Sequence, residues 1–366
     1  MVAPSLTSEA ITLPANAPST TGRLHLIDAL RALASQLILW HHLALYGPLS
    51  DAASLIAPSL VGSLVDYARM TSVFFVVGGM VTARALTKHP PACLKDVGAA
   101  LLHRWKRLGP AYLAVVALTI GVNALASGWM SDPMVSASPT LDQLLAHVFY
   151  LQNILGYESL SAGIWYVAID FQLTALVVLA LALSTFVARA TRRSVIQIAQ
   201  ALFWPVALGS LFFFNLRAEL DVWALYFFGS FFLGMAVQWA LSGHLPRAAF
   251  FAYLALVIVA GLLEFRPRLL MSAAIAAILF FAARSNALRD RPRNKAVLWL
   301  GRMSYSVFLI HFPVWLLLNA VFVRMGWVTP VTGLLAMPIA WLLSIGAGWV
   351  FHRYVELPSA RWASGK

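Results

Sequence analysis

The chain has 366 residues, of which 61% are hydrophobic and 11% charged, with 22 Phe and 13 Trp. Soluble domains carry roughly 25% charged residues, so a water-soluble globular protein is excluded and a polytopic membrane protein is expected. The net charge of +12 raises nucleic acid as a partner, but the positions of the cations point to membrane topology instead, and no nucleic-acid partner is expected.

Residues 1–22 are rich in Ser, Thr, Ala and Pro and lack Lys and Arg. They do not have the charged-then-apolar layout of a signal peptide, and a disordered cytoplasmic tail is expected. A span needs roughly 20 apolar residues, and ten segments qualify: 26–46, 66–87, 108–128, 164–187, 196–214, 221–240, 247–264, 268–284, 296–320 and 330–352. Only the turn sequence Phe265-Arg-Pro-Arg268 divides the seventh from the eighth. Residues 141–155 are too short and polar for a span and suit an amphipathic or re-entrant helix. Cys93 is the only cysteine, which excludes an internal disulfide.

Cytoplasmic loops carry an excess of Lys and Arg. With the N-terminus inside, nineteen of the 26 cations fall in inner segments and four (Arg217, Arg266, Arg268, Arg324) in outer ones; Arg31, Arg69 and Arg302 lie in or near spans. The long outer loops 47–65 and 129–163 hold none. The expected fold is therefore all-α: a polytopic membrane bundle of about ten transmembrane helices with both termini cytoplasmic. Residues 23–358 form one transmembrane domain and 359–366 a short cytoplasmic tail. No internal repeat of 20–50 residues and no pair of matching halves is visible, which weakens a transporter built on inverted repeats.

Ionisable groups inside spans are costly and mark function. In the first span, at about 100° per residue, Asp28, Arg31, Ser35 and His42 fall within roughly 60° of arc, while His41 points away. Arg31 and His42 are eleven residues apart, about 16 Å along a helix axis. An Asp28–Arg31 ion pair with a His near the helix end is the structural alternative. Arg104 and Arg107, before the third span, share a helix face. They either follow the positive-inside bias or clamp a phosphorylated ligand by bidentate pairing. Asp170, inside the fourth span, needs a partner in space, and Arg31 is a candidate. Ser304 and His311, in the ninth, are seven apart and share a face. Glu356, after the tenth, is expected to pair with a basic loop.

These stretches, in this order, resemble the acyltransferase 3 family of membrane-bound carbohydrate O-acyltransferases. Asp28-Ala-Leu-Arg31 with His42 is similar to the family's D-G-L-R helix and its following His. Phe74-Phe-Val-Val-Gly-Gly-Met80 stands at its F-F-V-L-S-G-F landmark. Arg104, Arg107, Pro110 and Tyr112 match R-x-x-R-x-x-P-x-Y. Trp165, Asp170 and Gln172 resemble W-x-L-x-x-E-x-Q, with Asp in place of Glu. Ser304, Tyr305, His311 and Pro313 match S-Y-x-x-Y-L-x-H-x-P, with Phe308 at the second Tyr. Glu356-Leu-Pro358 resembles the terminal E-x-P. The likeness runs through nearly all of the chain from residue 24, and its stand-alone type carries no attached hydrolase-like domain.

The resemblance implies an integral enzyme of the bacterial inner membrane. It would move an acetyl or other short acyl group from acetyl-CoA, or a related acyl-CoA, to a hydroxyl of a cell-surface or lipid-linked carbohydrate, without a metal. His42, whose unperturbed pKa lies near neutrality, suits a general base, with His311 as a second candidate. Arg31 would stabilise the oxyanion or hold the donor, fixed by Asp28 or Asp170. Arg104, Arg107 and Tyr112 would bind the donor, and Trp165, Gln172, Ser304 and Tyr305 the acceptor. A transporter or flippase lined by the same stripe is the alternative, and a non-catalytic assembly subunit a third. The acceptor, the acyl length and the oligomeric state stay open.

Overall fold

The structure, a computed structural model, describes residues 24–285 and 287–364; the expected tail at 1–22 lies outside the described residues. Within these the chain is helical, with no strand. Eight helical stretches are long and apolar enough to cross a membrane. They are Pro58–Leu86, Leu94–Ala126, Ile164–Thr191, Val195–Phe214, Ala224–Leu241, Pro267–Arg284, Ser304–Arg324 and Pro330–Ala363. Two further helices coincide with expected spans. The first, α1 (His25–Leu45), is long enough but carries the polar stripe. The second, Arg247–Leu263, is apolar and 17 residues long.

The helices that build the site are numbered in chain order. After α1 come α2 (Pro48–Ser54), α3 (Pro58–Tyr67) and α4 (Thr71–Leu86). Then follow α5 (Leu94–Ala126), α6 (Leu141–Val148), α7 (Ile164–Thr191), α8 (Val195–Gly209) and α9 (Ala224–Leu241). The chain continues with α10 (Arg247–Leu263), α11 (Pro267–Arg284), α12 (Ala287–Asp290), α13 (Lys295–Arg302), α14 (Ser304–Arg324), α15 (Pro330–Phe351) and α16 (Leu357–Ala363).

Three boundaries differ from the hydropathy reading. α5 begins fourteen residues before the expected span, because Leu94–Leu108 is free of proline and continues the helix; the Arg104 cluster sits inside it. The second expected span is broken at Ala68–Met70, so Arg69 lies in the gap between α3 and α4. The ninth is broken at Met303, where Gly301 presses against α1. A Cβ there would stand 2.2 Å from the carbonyl oxygen of Asp28. The seventh and eighth spans are separate, joined by a turn in which Phe265 takes φ of +40°. The short α6 covers only the first half of 141–155.

α9 is apolar around its whole circumference and is the most enclosed of the spans, as expected of a helix with no solvent or lipid face. It meets α4 backbone to backbone. A Cβ on Gly79 would lie 1.9 Å from Phe231 O, and one on Gly234 1.9 Å from Val76 O. Lipid offers no hydrophobic force to drive helices together, so such small-residue contacts supply the attraction through close van der Waals packing. Phe228, Phe231, Phe232 and Trp239 fill the space beside this seam. The α4–α9 pair thereby forms a rigid wall beside α1 and α7.

Candidate active site

α1 carries its polar stripe between two cavities. The near end is the end at which α1 begins, and the far end is where His42 sits. At the near end a cavity of ≈ 230 Å³ is lined by Asp28 and Arg31 of α1, Arg104 and Arg107 of α5, Tyr166 and Asp170 of α7, and Ser304, Tyr305 and Phe308 of α14. Glu356 closes its rim. The break at Met303 starts α14 anew, and its first two residues, Ser304 and Tyr305, line the cavity together with Arg31.

The charges in this cavity are ordered. Asp170 is buried and ion-paired with Arg104 across α5 and α7. Its partner is thus Arg104 and not Arg31. Arg107, one turn further along α5, is exposed on the cavity rim. Asp28 is 7% exposed. Glu356 accepts hydrogen bonds from Ser306 Oγ (2.5 Å) and His352 Nδ1 (2.8 Å). It ties the π-helical turn after α15 to α14 in place of the basic loop expected for it.

At the far end a second cavity, ≈ 330 Å³, is lined by His41, His42, Tyr46, Asp66, Arg69, Thr71, Trp165 and Phe308, among others. His42 and His311 meet here. His42 Nδ1 and His311 Nε2 are 2.6 Å apart. Their rings are inclined by 9° with centroids 4.9 Å apart. Both side chains are buried. One ring donates its N–H and the other accepts. Because Nδ1 of His42 is committed to His311, Nε2 is the nitrogen left to meet a substrate. Beyond the pair, Trp315 Nε1 donates to Tyr46 O (2.7 Å), and Asn319 Oδ1 accepts from Leu49 N (2.9 Å). These bonds pin the end of α1 and the start of α2 to α14 and fix the register of the two imidazoles.

Phe308 lines both cavities. Its ring sits 5.7 Å from Tyr166, 5.9 Å from Phe74 and 6.1 Å from His311. Gly163, with φ of +88°, passes so close that a Cβ would come 3.0 Å from the Phe308 ring. An aromatic partition one side chain thick thus separates the Arg31 cavity from the His42 cavity.

The sequence-derived candidates divide between the ends. Asp28, Arg31, Arg104, Arg107, Asp170, Ser304 and Tyr305 gather at the near end, while His42 and Trp165 open on the far one. His311 is fully enclosed behind His42. Ser304 donates to Gly301 O (3.0 Å) and not to His311. Tyr305 donates to Leu108 O (3.2 Å). Tyr112 and Gln172 line neither cavity. Tyr112 packs edge-on against Tyr150, and Gln172 donates to Tyr150 O (2.7 Å). Both therefore hold the loop after α6 in place. His41, expected to point away from the stripe, is also buried and lines the far cavity beside His42. Sequence reasoning missed Tyr166 and Arg69 as cavity residues. Tyr166 lies inside the motif already singled out, and Arg69 is signalled as a cation at the end of an expected span.

Fold and site together define a multi-pass helical membrane protein with two polar cavities that share Phe308 and a buried histidine pair on one side of it. The acyltransferase 3 family model, an acyltransferase domain, matches residues 24–353, and the chain belongs to that family. It is a membrane acyltransferase. No curated protein and no solved structure matched it.

Proposed function

We propose that this chain moves an acetyl or other short acyl group from acyl-CoA, entering the near-end cavity from the bacterial cytoplasm, to a hydroxyl of a carbohydrate in the far-end cavity. The observation that carries the reading is the meeting of the two cavities at Phe308, with the His42–His311 pair on the far side. CoA is a cytoplasmic polyanion, and the near-end rim offers Arg107 as a free bidentate phosphate partner. Arg104 is already neutralised by Asp170 and serves to hold α5 on α7. Arg31 and Asp28 line the route of the donor's arm. The axial rise of about 16 Å between Arg31 and His42 assigns Arg31 to holding the arm rather than to the oxyanion. The acyl end then passes Phe308 to reach the histidines. His42 Nε2 takes the acceptor's hydroxyl proton as that oxygen attacks the thioester carbon. The C–S bond breaks, and the proton passes from the imidazolium to the departing thiolate, giving the ester and free CoA. His311 spreads the transient imidazolium charge through the shared hydrogen bond. This reading takes residues 23–358 as the catalytic domain, with about ten spans and both termini in the cytoplasm.

The test is release of CoA thiol from acetyl-CoA by the purified protein, with mass spectrometry of added glycans for an acyl gain. The exposed Cys93 reacts with thiol reagents, so it is alkylated first. Wild type is expected to release CoA, and His42→Ala, still monodisperse, to release none. Full turnover in His42→Ala refutes the assignment of the base. A flippase would give no CoA with either.

A further inference from the structure

A third cavity adjoins the far-end one. It has a volume of ≈ 370 Å³ and shares Asp66, Arg69, Thr71 and Trp165 with the His42 cavity. The two are compartments of one basin, each within the size range of ligand sites. The outer compartment adds Asn153, Asp221, Phe227, Arg266 and Arg268. Three guanidinium groups, Arg69, Arg266 and Arg268, thus converge on a face where segments 47–65 and 129–163 hold no Lys or Arg.

Asp66 and Asp221 line the same cavity and offset part of this charge, but direct ion pairing among the described residues engages only one of the three arginines. Arg266 pairs with Glu264 at 2.8 Å, a side chain 49% exposed. Among the described residues neither Arg69 nor Arg268 has a carboxylate at ion-pair distance. The Arg268 guanidinium lies 4.2 Å over the Tyr226 ring and donates to its hydroxyl. A guanidinium has five N–H donors, so most of Arg268's capacity is unspent, and stacking holds its plane still. Asp66 and Asp221 line the same walls and are acceptors suited to sugar hydroxyls. Trp165, 5.5 Å from Phe227, offers a flat apolar face between His42 and the arginines.

We propose that this basin is the acceptor subsite, and that it selects a glycan carrying an anionic group. Arg69, Arg266 and Arg268 hold the phosphate or carboxylate, the sugar lies on Trp165, and one hydroxyl is presented to His42. The proposal rests on the acyltransferase reading for the orientation of the sugar, and its binding step is measured separately.

The protein in zwitterionic nanodiscs is titrated calorimetrically with glucose, glucose 1-phosphate, glucuronate and inorganic phosphate. Glucose 1-phosphate, glucuronate or both are expected to bind at least tenfold more tightly than glucose. A gain confined to the phosphate ester identifies a phosphorylated or lipid-diphosphate glycan, and one confined to glucuronate an acidic sugar. Arg69→Gln with Arg268→Gln is expected to cut the preference below threefold. Arg69 is exposed, so Arg69→Gln alone keeps the test readable if the double variant does not fold, with at least a threefold loss expected. Arg217→Gln removes an arginine stacked on Phe213 at 3.9 Å that does not line the basin, and is expected to keep the preference. Equal binding of the three sugars overturns the proposal. So does a preference that survives loss of Arg69 and Arg268, or inorganic phosphate binding as tightly as glucose 1-phosphate. CoA release by the same preparation separates the two ideas. Release without anion preference removes the subsite and leaves the acyltransferase reading. Anion preference without acyl transfer removes that reading and leaves a binding site for acidic glycans.

Discussion

Replacing His42 and His311 singly and together separates the base from its partner. In the resting site one proton lies between His42 Nδ1 and His311 Nε2, 2.6 Å apart. In the proposed mechanism His42 Nε2 accepts the substrate proton, and the His42–His311 bond then becomes charge-assisted. Hydrogen bonds to charged groups contribute about 1.5–3 kcal/mol net, and about 1.4 kcal/mol corresponds to tenfold in rate. His311→Ala should therefore lower turnover by about 10- to 150-fold. His42→Ala removes the base itself and should cost about 10²- to 10⁴-fold. Both changes act on one proton transfer, so the double variant should be no slower than His42→Ala by more than about threefold. The measurement is CoA release at saturating acetyl-CoA with Cys93 blocked, on variants whose size-exclusion profile and helicity match wild type. Strictly multiplicative losses would refute the shared-proton mechanism. A larger loss in His311→Ala than in His42→Ala would move the base to His311.

Arg107→Gln should raise the KM for acetyl-CoA by about tenfold, the worth of one charge-assisted pair, and leave kcat within about twofold; steady-state kinetics read this split. Arg104→Gln should act on stability instead, because it strands Asp170, a carboxylate with 7% side-chain exposure. Stranding one partner of a buried pair costs about 3–5 kcal/mol. The 26% exposure of Arg104 puts the expectation at the low end, seen as a lower Tm in detergent. Gly79→Ala would force a methyl group to within 1.9 Å of Phe231 O and should prevent recovery of monodisperse protein. Gly121→Ala, where no atom lies within 4 Å, should be neutral or stabilising by up to about 1 kcal/mol. Equal yields of the two variants would argue against the α4–α9 seam.

The helical membrane fold was legible because long apolar runs with few charges have few other outcomes. The stripe Asp28–Arg31–His42 was legible because helix geometry is regular enough to carry a face across eleven residues. What failed was partner choice. Asp170 looks toward Arg31 in the motif order, yet α5 runs fourteen residues further than its apolar part, and that extension brings Arg104 to it. Ser304 shares a face with His311, but the break at Met303 turns its hydroxyl back to Gly301. The histidine pair spans 269 positions, and no local pattern encodes such a contact. Tyr112 and Gln172 match the family pattern as firmly as Arg31 does, but they support a loop rather than line a cavity. A motif marks which residues matter without saying whether they touch the substrate.

Phe308 has a consequence for the cell that houses this chain. A membrane that stores energy as a voltage loses about 2.3 kcal/mol for each proton that leaks back across 100 mV. Polar cavities opening at both ends would be a short circuit if they joined. Two histidines able to pass a proton stand directly beside the junction. Under the proposed transfer, the ring of Phe308, packed against Phe74 and Tyr166, would be the insulation. On that proposal it would open only as far as an acyl arm can fill, so the bilayer would stay electrically sealed while a chemical group crossed it.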